Sequence, residues 1–537
     1  MAGAVPLVAF VVLFALGPVG ALFARAWAAG GGGPGLAIAL WGTAINRRAL
    51  ENSLLQGGLS AALATALGYP AGVFLGRHRV PGGEFWRALL LVPFLLSSLV
   101  VAFGIADLFG PAGLMGATPL RWFGGGVPAI VAANLVFNTP LVILFTAAGC
   151  ESAPPVVEEA AATLGASPAR RWRDVWGPPS LAGAAAGGVY TFLFSALAFT
   201  APIVLCGPRC YTLEAQVYAL NTVYLDPTGA GLLALGAFLV AIPPIAAVLL
   251  LSRRGSATIL LSLGAGRPRR PLRGGGPWPW VLAGEAIAVS AGIFSVLAAV
   301  LFRTVVPADG GPPGAPWREL FGPAAQAAMG IPVAQVVANT LGLAALAAAI
   351  ALLLTLAGTL AVRDRPAAAA PLGAVLIAPL LISPVLLAFG LAQAWRPILG
   401  GAPSVWIVIA LAQATLAIPF AWQALSLAAG GLSRAPADAA RSLGADRWTA
   451  FWDADAPRLR SGIRTALLFA FAIGLGEFTA TYFLWVPQFT TLSVAAYLLG
   501  HLRFSDASAG ATGLLALVSL VLFAAIALAG REGRPDA

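Results

Sequence analysis

The chain contains no lysine; all 31 of its basic residues are arginine. Charge of either sign is scarce, at 10% of 537 residues, where a water-exposed globular domain carries about a quarter. So few charges cannot cover a soluble surface, and water is excluded as the main solvent. Histidine and cysteine are almost absent too, with two and three copies. His78 and His501 lie far apart in the chain, so no metal pair is expected. No Ser-His-Asp arrangement and no GxxxxGK[ST] phosphate cradle is present, which leaves no catalytic or metal-binding residue to nominate. Cys206 and Cys210 stand in CGPRC, a spacing that is neither CxxC nor a zinc signature. Three ordinary thiols are the bland expectation, although an oxidising compartment would permit a disulfide.

What is abundant is apolar length. Hydrophobic residues make up 59% of the chain and the mean hydropathy is +0.88. Apolar stretches recur near 4–25, 53–76, 88–109, 128–149, 181–205, 229–252, 279–302, 334–361, 371–393, 403–428, 463–486 and 510–530. Each has about the 20 residues that a helix needs to cross the hydrocarbon of a bilayer. The expected fold is all-α and polytopic, with about 12 transmembrane helices. The first stretch has no basic n-region and exceeds the apolar length of a signal peptide, so it is expected to stay as a span.

A net charge of +10 could suggest nucleic acid, but its distribution argues otherwise. With the N-terminus inside, most arginines fall in the loops 77–87, 151–180, 253–278, 362–370 and 429–464 and in the C-terminal tail. That asymmetry is the positive-inside pattern, which places both termini in the cytoplasm. Nucleic acid is not an expected partner; the lipid bilayer is.

The chain repeats itself. VPFLLSSLVVAFGI at 92–105 matches APLLISPVLLAFGL at 378–391, a shift of 286. Further on the shift is 279: Pro140 answers Pro419, Phe199-Thr200-Ala201 answers Phe478-Thr479-Ala480, and TLEAQVY at 212–218 answers TLSVAAY at 491–497. Asn52 of NSLLQGGLSAA answers Asn339 of NTLGLAALAAA. The chain therefore divides into two homologous six-helix halves, residues 1–252 and 279–537, joined by a Gly-, Pro- and Arg-rich linker at 253–278. Six is even, so the halves are parallel repeats.

One polar stretch occurs twice in register. EAAATLGASPARRWRDVWGP at 159–178 aligns without a gap with DAARSLGADRWTAFWDADAP at 438–457. Each lies in an inner loop, about 151–180 and about 429–464, between the fourth and fifth spans of its half. Proline at the entrance and an acid in the first turn suit a short helix. Gly165 and Gly444 suit a left-handed C-cap that turns the chain. A second short helix is expected beyond each glycine. There Trp172 with Trp176, and Trp448 with Trp452, sit at i, i+4 and would face the membrane surface or an inner partner.

These islands resemble the cytoplasmic signature of permease subunits of bacterial ATP-binding-cassette importers: Glu-Ala-Ala, three residues, Gly, nine residues, then aliphatic-x-Leu-Pro. Glu159, Ala160, Ala161, Gly165, Val175 and Pro178 match it, with Gly177 in place of leucine. In the second copy Ala439, Ala440, Gly444 and Pro457 match, while Asp438 replaces glutamate and Ala454 the aliphatic residue. Fusion of two modules resembles the ferric iron and thiamine subgroup, and 212–235 is similar to its outer-loop region.

The resemblance implies an inner-membrane transport subunit that is not itself an enzyme. Two cytoplasmic ATPase subunits would seat on the two islands, a periplasmic binding protein would deliver the solute, and ATP with magnesium would be bound by the ATPases, leaving this chain without a cofactor. Charged and polar residues inside spans are candidates for the translocation path: Glu477 first, then Asn138, Thr200 and Thr479. The rival is a twelve-helix secondary transporter working without an ATPase, which would have no use for the duplicated islands.

Overall fold

The computed structural model describes residues 4–251, 277–308, 310–363, 366–399, 405–430 and 435–531; the linker expected at 253–278 lies almost wholly outside them. Most of the described residues are helical, and the protein is a polytopic all-α membrane protein. Among them, nine helices are long and apolar enough to cross a membrane: Val5–Ala29, Ala44–Arg77, Gly126–Ser152, Pro227–Ala247, Trp278–Arg303, Val333–Val362, Val405–Gly430, Phe451–Gly476 and Ser505–Ala525.

The other expected spans are broken. The stretch 88–109 is divided into Gly83–Leu90, Val92–Leu95 and Ser98–Phe109. Its counterpart at 371–393 is divided into Pro366–Ile377, Ala378–Leu381 and Pro384–Leu399. Pro93 and Pro379 sit at these breaks, where the missing N–H and the ring oppose a continuous helix. The fifth span of each half also stops short: Gly177–Ala196 is followed by a separate Thr200–Leu205, and Ala456–Gly476 by Thr479–Leu484. The breaks fall at matched positions in the repeat.

Two compact units emerge, one of residues 25–325 with 496–516, the other of 1–24, 326–495 and 517–537. Each is built on the same trio. In the first, Ala44–Arg77, Gly126–Ser152 and Gly177–Ala196 pack closely. Gly68, Gly72 and Gly76 face Val142, Thr146 and Ala147 so tightly that a Cβ at any of them would come within 3 Å of a neighbouring atom. Small residues four apart let membrane helices approach in this way. In the second unit Val333–Arg363, Val405–Gly430 and Ala456–Gly476 pair similarly. Helix Trp278–Arg303 packs on Ala44–Arg77 and Ser98–Phe109, while Val5–Val11 packs on Val333–Arg363 and Pro366–Ile377. Cys206 and Cys210 are joined as a disulfide, which corrects the expectation of three ordinary thiols; Cys150 is free and buried.

Candidate functional site

Both islands fold alike, and the repeated residues account for the geometry. The first begins with helix Pro155–Thr163, the second with Ala435–Ser442. Each ends at a glycine with φ of 80° (Gly165) or 93° (Gly444). The Ala166 N–H donates to the Ala161 carbonyl at 2.9 Å, and the Gly165 N–H to that of Ala162 at 3.0 Å. Ala445 donates to Ala440 and Gly444 to Arg441, both at 3.0 Å. This six-to-one and five-to-two pairing is the Schellman turn, and it needs a left-handed residue at the glycine position. The motif's second alanine supplies the accepting carbonyl in both copies.

After the turn, Ser167 and Asp446 occupy aligned positions and cap the next segment. Ser167 Oγ accepts from the Arg170 N–H at 3.3 Å and Asp446 Oδ1 from the Thr449 N–H at 2.8 Å. Hydrogen bonds from Thr449, side chain first and backbone second, hold the Asp446 carboxyl below the usual carboxylate range. That contribution is present above about pH 4 and is lost as the pH falls through the lowered value.

The expected separate second helix is not found. Pro168–Arg171 and Arg447–Ala450 each pass through one π-turn, Trp172–Trp176 and Phe451–Asp455, directly into the fifth span. Such turns accommodate an extra residue and are frequent at functional sites, although a third lies at Val12–Leu16, away from the islands. Trp176 is half-buried, with the Arg77 guanidinium lying over its ring at 4.0 Å. Trp172 donates through Nε1 to the Tyr69 hydroxyl at 3.2 Å. Trp452 is exposed, and the Trp448 side chain lies outside the described residues.

The family-matched residues share exposure as well as position. Glu159 and Asp438, Ala160 and Ala439, and Pro178 and Pro457 are exposed; Ala161 and Ala440 are half-buried. At the corner between each helix and its glycine, Leu164 and Leu443 are each 88% exposed, the highest value among the described large hydrophobic side chains. The sequence shows both leucines in the repeated Leu-Gly-Ala of the islands but assigns them no role, because one leucine in an apolar chain carries no signal of exposure. Their exposure follows from the turn that the neighbouring glycine makes, which the pattern alone does not display. Glu158, not Glu159, is the acid that turns inward: it pairs with Arg77 at 2.6 Å.

The candidate pathway residues sit at the helix breaks and in polar contacts between helices. Asn138 and Thr200 lie in one compact unit, Glu477 and Thr479 in the other. Asn138 Nδ2 donates to Ser195 Oγ at 3.3 Å, and its Oδ1 has no hydrogen-bond partner among the described residues. It extends a buried stripe in which Asn134 Nδ2 donates to Gln56 Oε1 at 2.6 Å and to Ser60 Oγ at 3.1 Å. Gln56, Ser60 and Asn134 were missed, although polar residues four apart inside apolar spans are a readable signal. Thr200 accepts from Ser98 Oγ at 2.9 Å.

Glu477 lies in the break before Thr479–Leu484 and caps that helix. Its carboxylate accepts from the Ala480 N–H at 2.7 Å, the Thr481 N–H at 2.8 Å and the Thr481 hydroxyl at 2.7 Å. Gln413 extends the contact by donating to Thr481 Oγ1 at 3.1 Å. Glu477→Ala is expected to lower stability by about 2–4 kcal/mol, since it removes charge-assisted bonds and a cap together. Thermal unfolding in detergent checks this. Loss of transport at an unchanged unfolding temperature would instead assign Glu477 to the path.

The chain has relatives among known transport proteins. A family model described as binding-protein-dependent transport system inner membrane component matches residues 68–254, which include the first island. A thiamine transport system permease protein, ThiP, of Brucella abortus (strain 2308) is 29% identical over 229 residues, 39% of this chain and 40% of that protein. A molybdenum transport system permease protein, ModB, of Mycobacterium tuberculosis (strain H37Rv) is 30% identical over 204 residues, 37% of this chain and 76% of that protein. A sulfate transport system permease protein, CysT, of Escherichia coli (strain K12) is 32% identical over 134 residues, 24% of this chain and 48% of that protein. The chain thus spans 40% of the length of the thiamine permeases that it matches.

Proposed function

The chain belongs to the family of binding-protein-dependent transport system inner membrane components, and from that premise we propose that it is the fused permease of an ATP-binding-cassette importer. In this reading 1–252 and 279–537 are its two modules and both termini are cytoplasmic. The observation that carries the proposal is the duplicated island. Each copy presents a short helix, a tight turn and one fully projecting leucine, a shape suited to a groove on a globular partner.

Each island seats one cytoplasmic ATPase subunit, with Glu159, Ala160 and Ala161, or Asp438, Ala439 and Ala440, on the contacting helix. Gly165 and Gly444 set the turn, and Pro178 and Pro457 open the fifth spans. ATP and magnesium are held by the ATPases. A binding protein presents the solute on the opposite side of the membrane, and Asn138, Thr200, Glu477 and Thr479 are the candidate path residues.

Among solutes thiamine has the most support, because the Brucella relatives are thiamine permeases matched over 229 residues; the ferric iron reading rests on the resemblance of the fused modules. Uptake of labelled thiamine into vesicles holding the chain with its ATPase and binding protein is the test. Thiamine uptake that excess ferric iron, molybdate or sulfate leaves unchanged is expected. Competition by any one of these would reassign the solute.

A further inference from the structure

Helix Ala44–Arg77 is attached to other elements at both ends. Near its beginning, Asn52 Nδ2 donates to the Tyr211 carbonyl at 3.2 Å, and Ser53 Oγ accepts from the Leu213 N–H at 2.9 Å. Leu213 is the first residue of helix Leu213–Thr222, so the second span supplies a partner for an N–H that a helix start leaves unpaired. The other half repeats the arrangement within its own compact unit. Asn339 Nδ2 donates to the Thr490 carbonyl at 3.1 Å, and Thr340 Oγ1 accepts from the Leu492 N–H at 2.8 Å, with Leu492 opening helix Leu492–His501. Four bonds thus agree in kind and position across the two copies of the repeat. The repeated Asn-[Ser/Thr]-Leu is a latch on the start of a distant helix. Its partners lie 159 and 160 residues further along the chain in the first half, and 151 and 152 in the second.

At its other end the same helix grips the first island. Arg77 pairs with Glu158 at 2.6 Å, the two side chains being only 11% and 12% exposed, and lies over Trp176 at 4.0 Å. About two turns earlier, the Tyr69 hydroxyl takes the Trp172 Nε1–H at 3.2 Å and meets Ser180 Oγ at 3.3 Å. Removing one partner of a shielded ion pair leaves an uncompensated charge, so such a pair resists separation. Residues 53 and 77 stand about 36 Å apart along a helix that rises 1.5 Å per residue, about one bilayer thickness. Ala437 stands where Glu158 does and Asp455 where Trp176 does, so the second island cannot form the same pair and stack.

We propose that Ala44–Arg77 is the transmission element of the first half: Arg77 makes its inner end follow the island, and Asn52 and Ser53 make the start of Leu213–Thr222 follow its outer end. This rests on the islands being ATPase docking sites. Asn52, Ser53 and Arg77 act in this as positioning residues, through Tyr211, Leu213 and Glu158.

The test uses the full chain with its ATPase and binding protein in vesicles, reading solute uptake per ATP hydrolysed. Asn52→Ala with Ser53→Ala is expected to leave ATP hydrolysis within about twofold of the parent while uptake per ATP falls about tenfold or more. Ser53→Thr is expected to keep the parental ratio, because Thr340 performs the same task in the other copy. Arg77→Glu should lose the ratio and Arg77→Glu with Glu158→Arg should regain much of it. The inference is overturned if the ratio is unchanged in the latch double variant. It is equally overturned if hydrolysis and uptake fall in proportion, or if the charge exchange restores nothing. A parent complex that hydrolyses no ATP would fail the docking reading itself, and the inference with it.

Discussion

Leu164→Asp together with Leu443→Asp is expected to detach the ATPase subunits while leaving the chain as stable as the parent. Both leucines are 88% exposed, so neither contributes to the packing of this chain, and surface changes away from special features alter stability by about 0.5 kcal/mol or less. Their value lies in what they enter. Burying a leucine side chain is worth about 2 kcal/mol, which is about 30-fold in affinity per island. A carboxylate buried in the same groove without a partner costs more than the lost leucine. Thermal unfolding should therefore be unchanged while co-purification and uptake are lost. Retained ATPase subunits would remove the leucines from the interface.

Gly165→Pro with Gly444→Pro is expected to abolish uptake by a different route. The two glycines hold φ of 80° and 93°, whereas proline fixes φ near −65° and removes the N–H that donates to Ala162 or Arg441. The Schellman turn cannot form, and the helix before it points elsewhere. Space is not the constraint, since a Cβ at either position meets nothing within 4 Å. Gly165→Asn with Gly444→Asn should accordingly retain most activity, because asparagine tolerates left-handed backbone. Equal loss in the asparagine and proline pairs would place the requirement in packing against the partner rather than in the turn.

The islands were legible because the turn is a local object. Alanine, leucine, glycine and alanine in fixed register encode the cap, and a second copy 279 residues on separates the pattern from chance. The segment beyond the turn was not legible, since tryptophans at i, i+4 give no hint that the chain runs through a π-turn into the fifth span. Hydropathy located the third and fifth spans but not their breaks, because apolar content is equally high on both sides of Leu197–Phe199 and of Pro379. Glu477 was legible as a charge inside a span. Its work as a cap was not, because that depends on a chain break that its own sequence does not announce. Asn52 and Asn339 were visible as a matched pair, yet their partners at Tyr211 and Thr490 are brought near only by folding. Arg77 and Glu158 were hidden for the same reason, with Glu159 beside them drawing the family resemblance.

The claim on which the rest depends is that two ATPase subunits dock on the two islands of one chain. Native mass measurement of the chain extracted in mild detergent, after co-expression with its ATPase, tests it most directly. The account predicts one chain carrying two ATPase copies, reduced to one when either leucine alone is replaced by aspartate. A chain that emerges alone, while its vesicles still accumulate solute on an ion gradient without ATP, would contradict it.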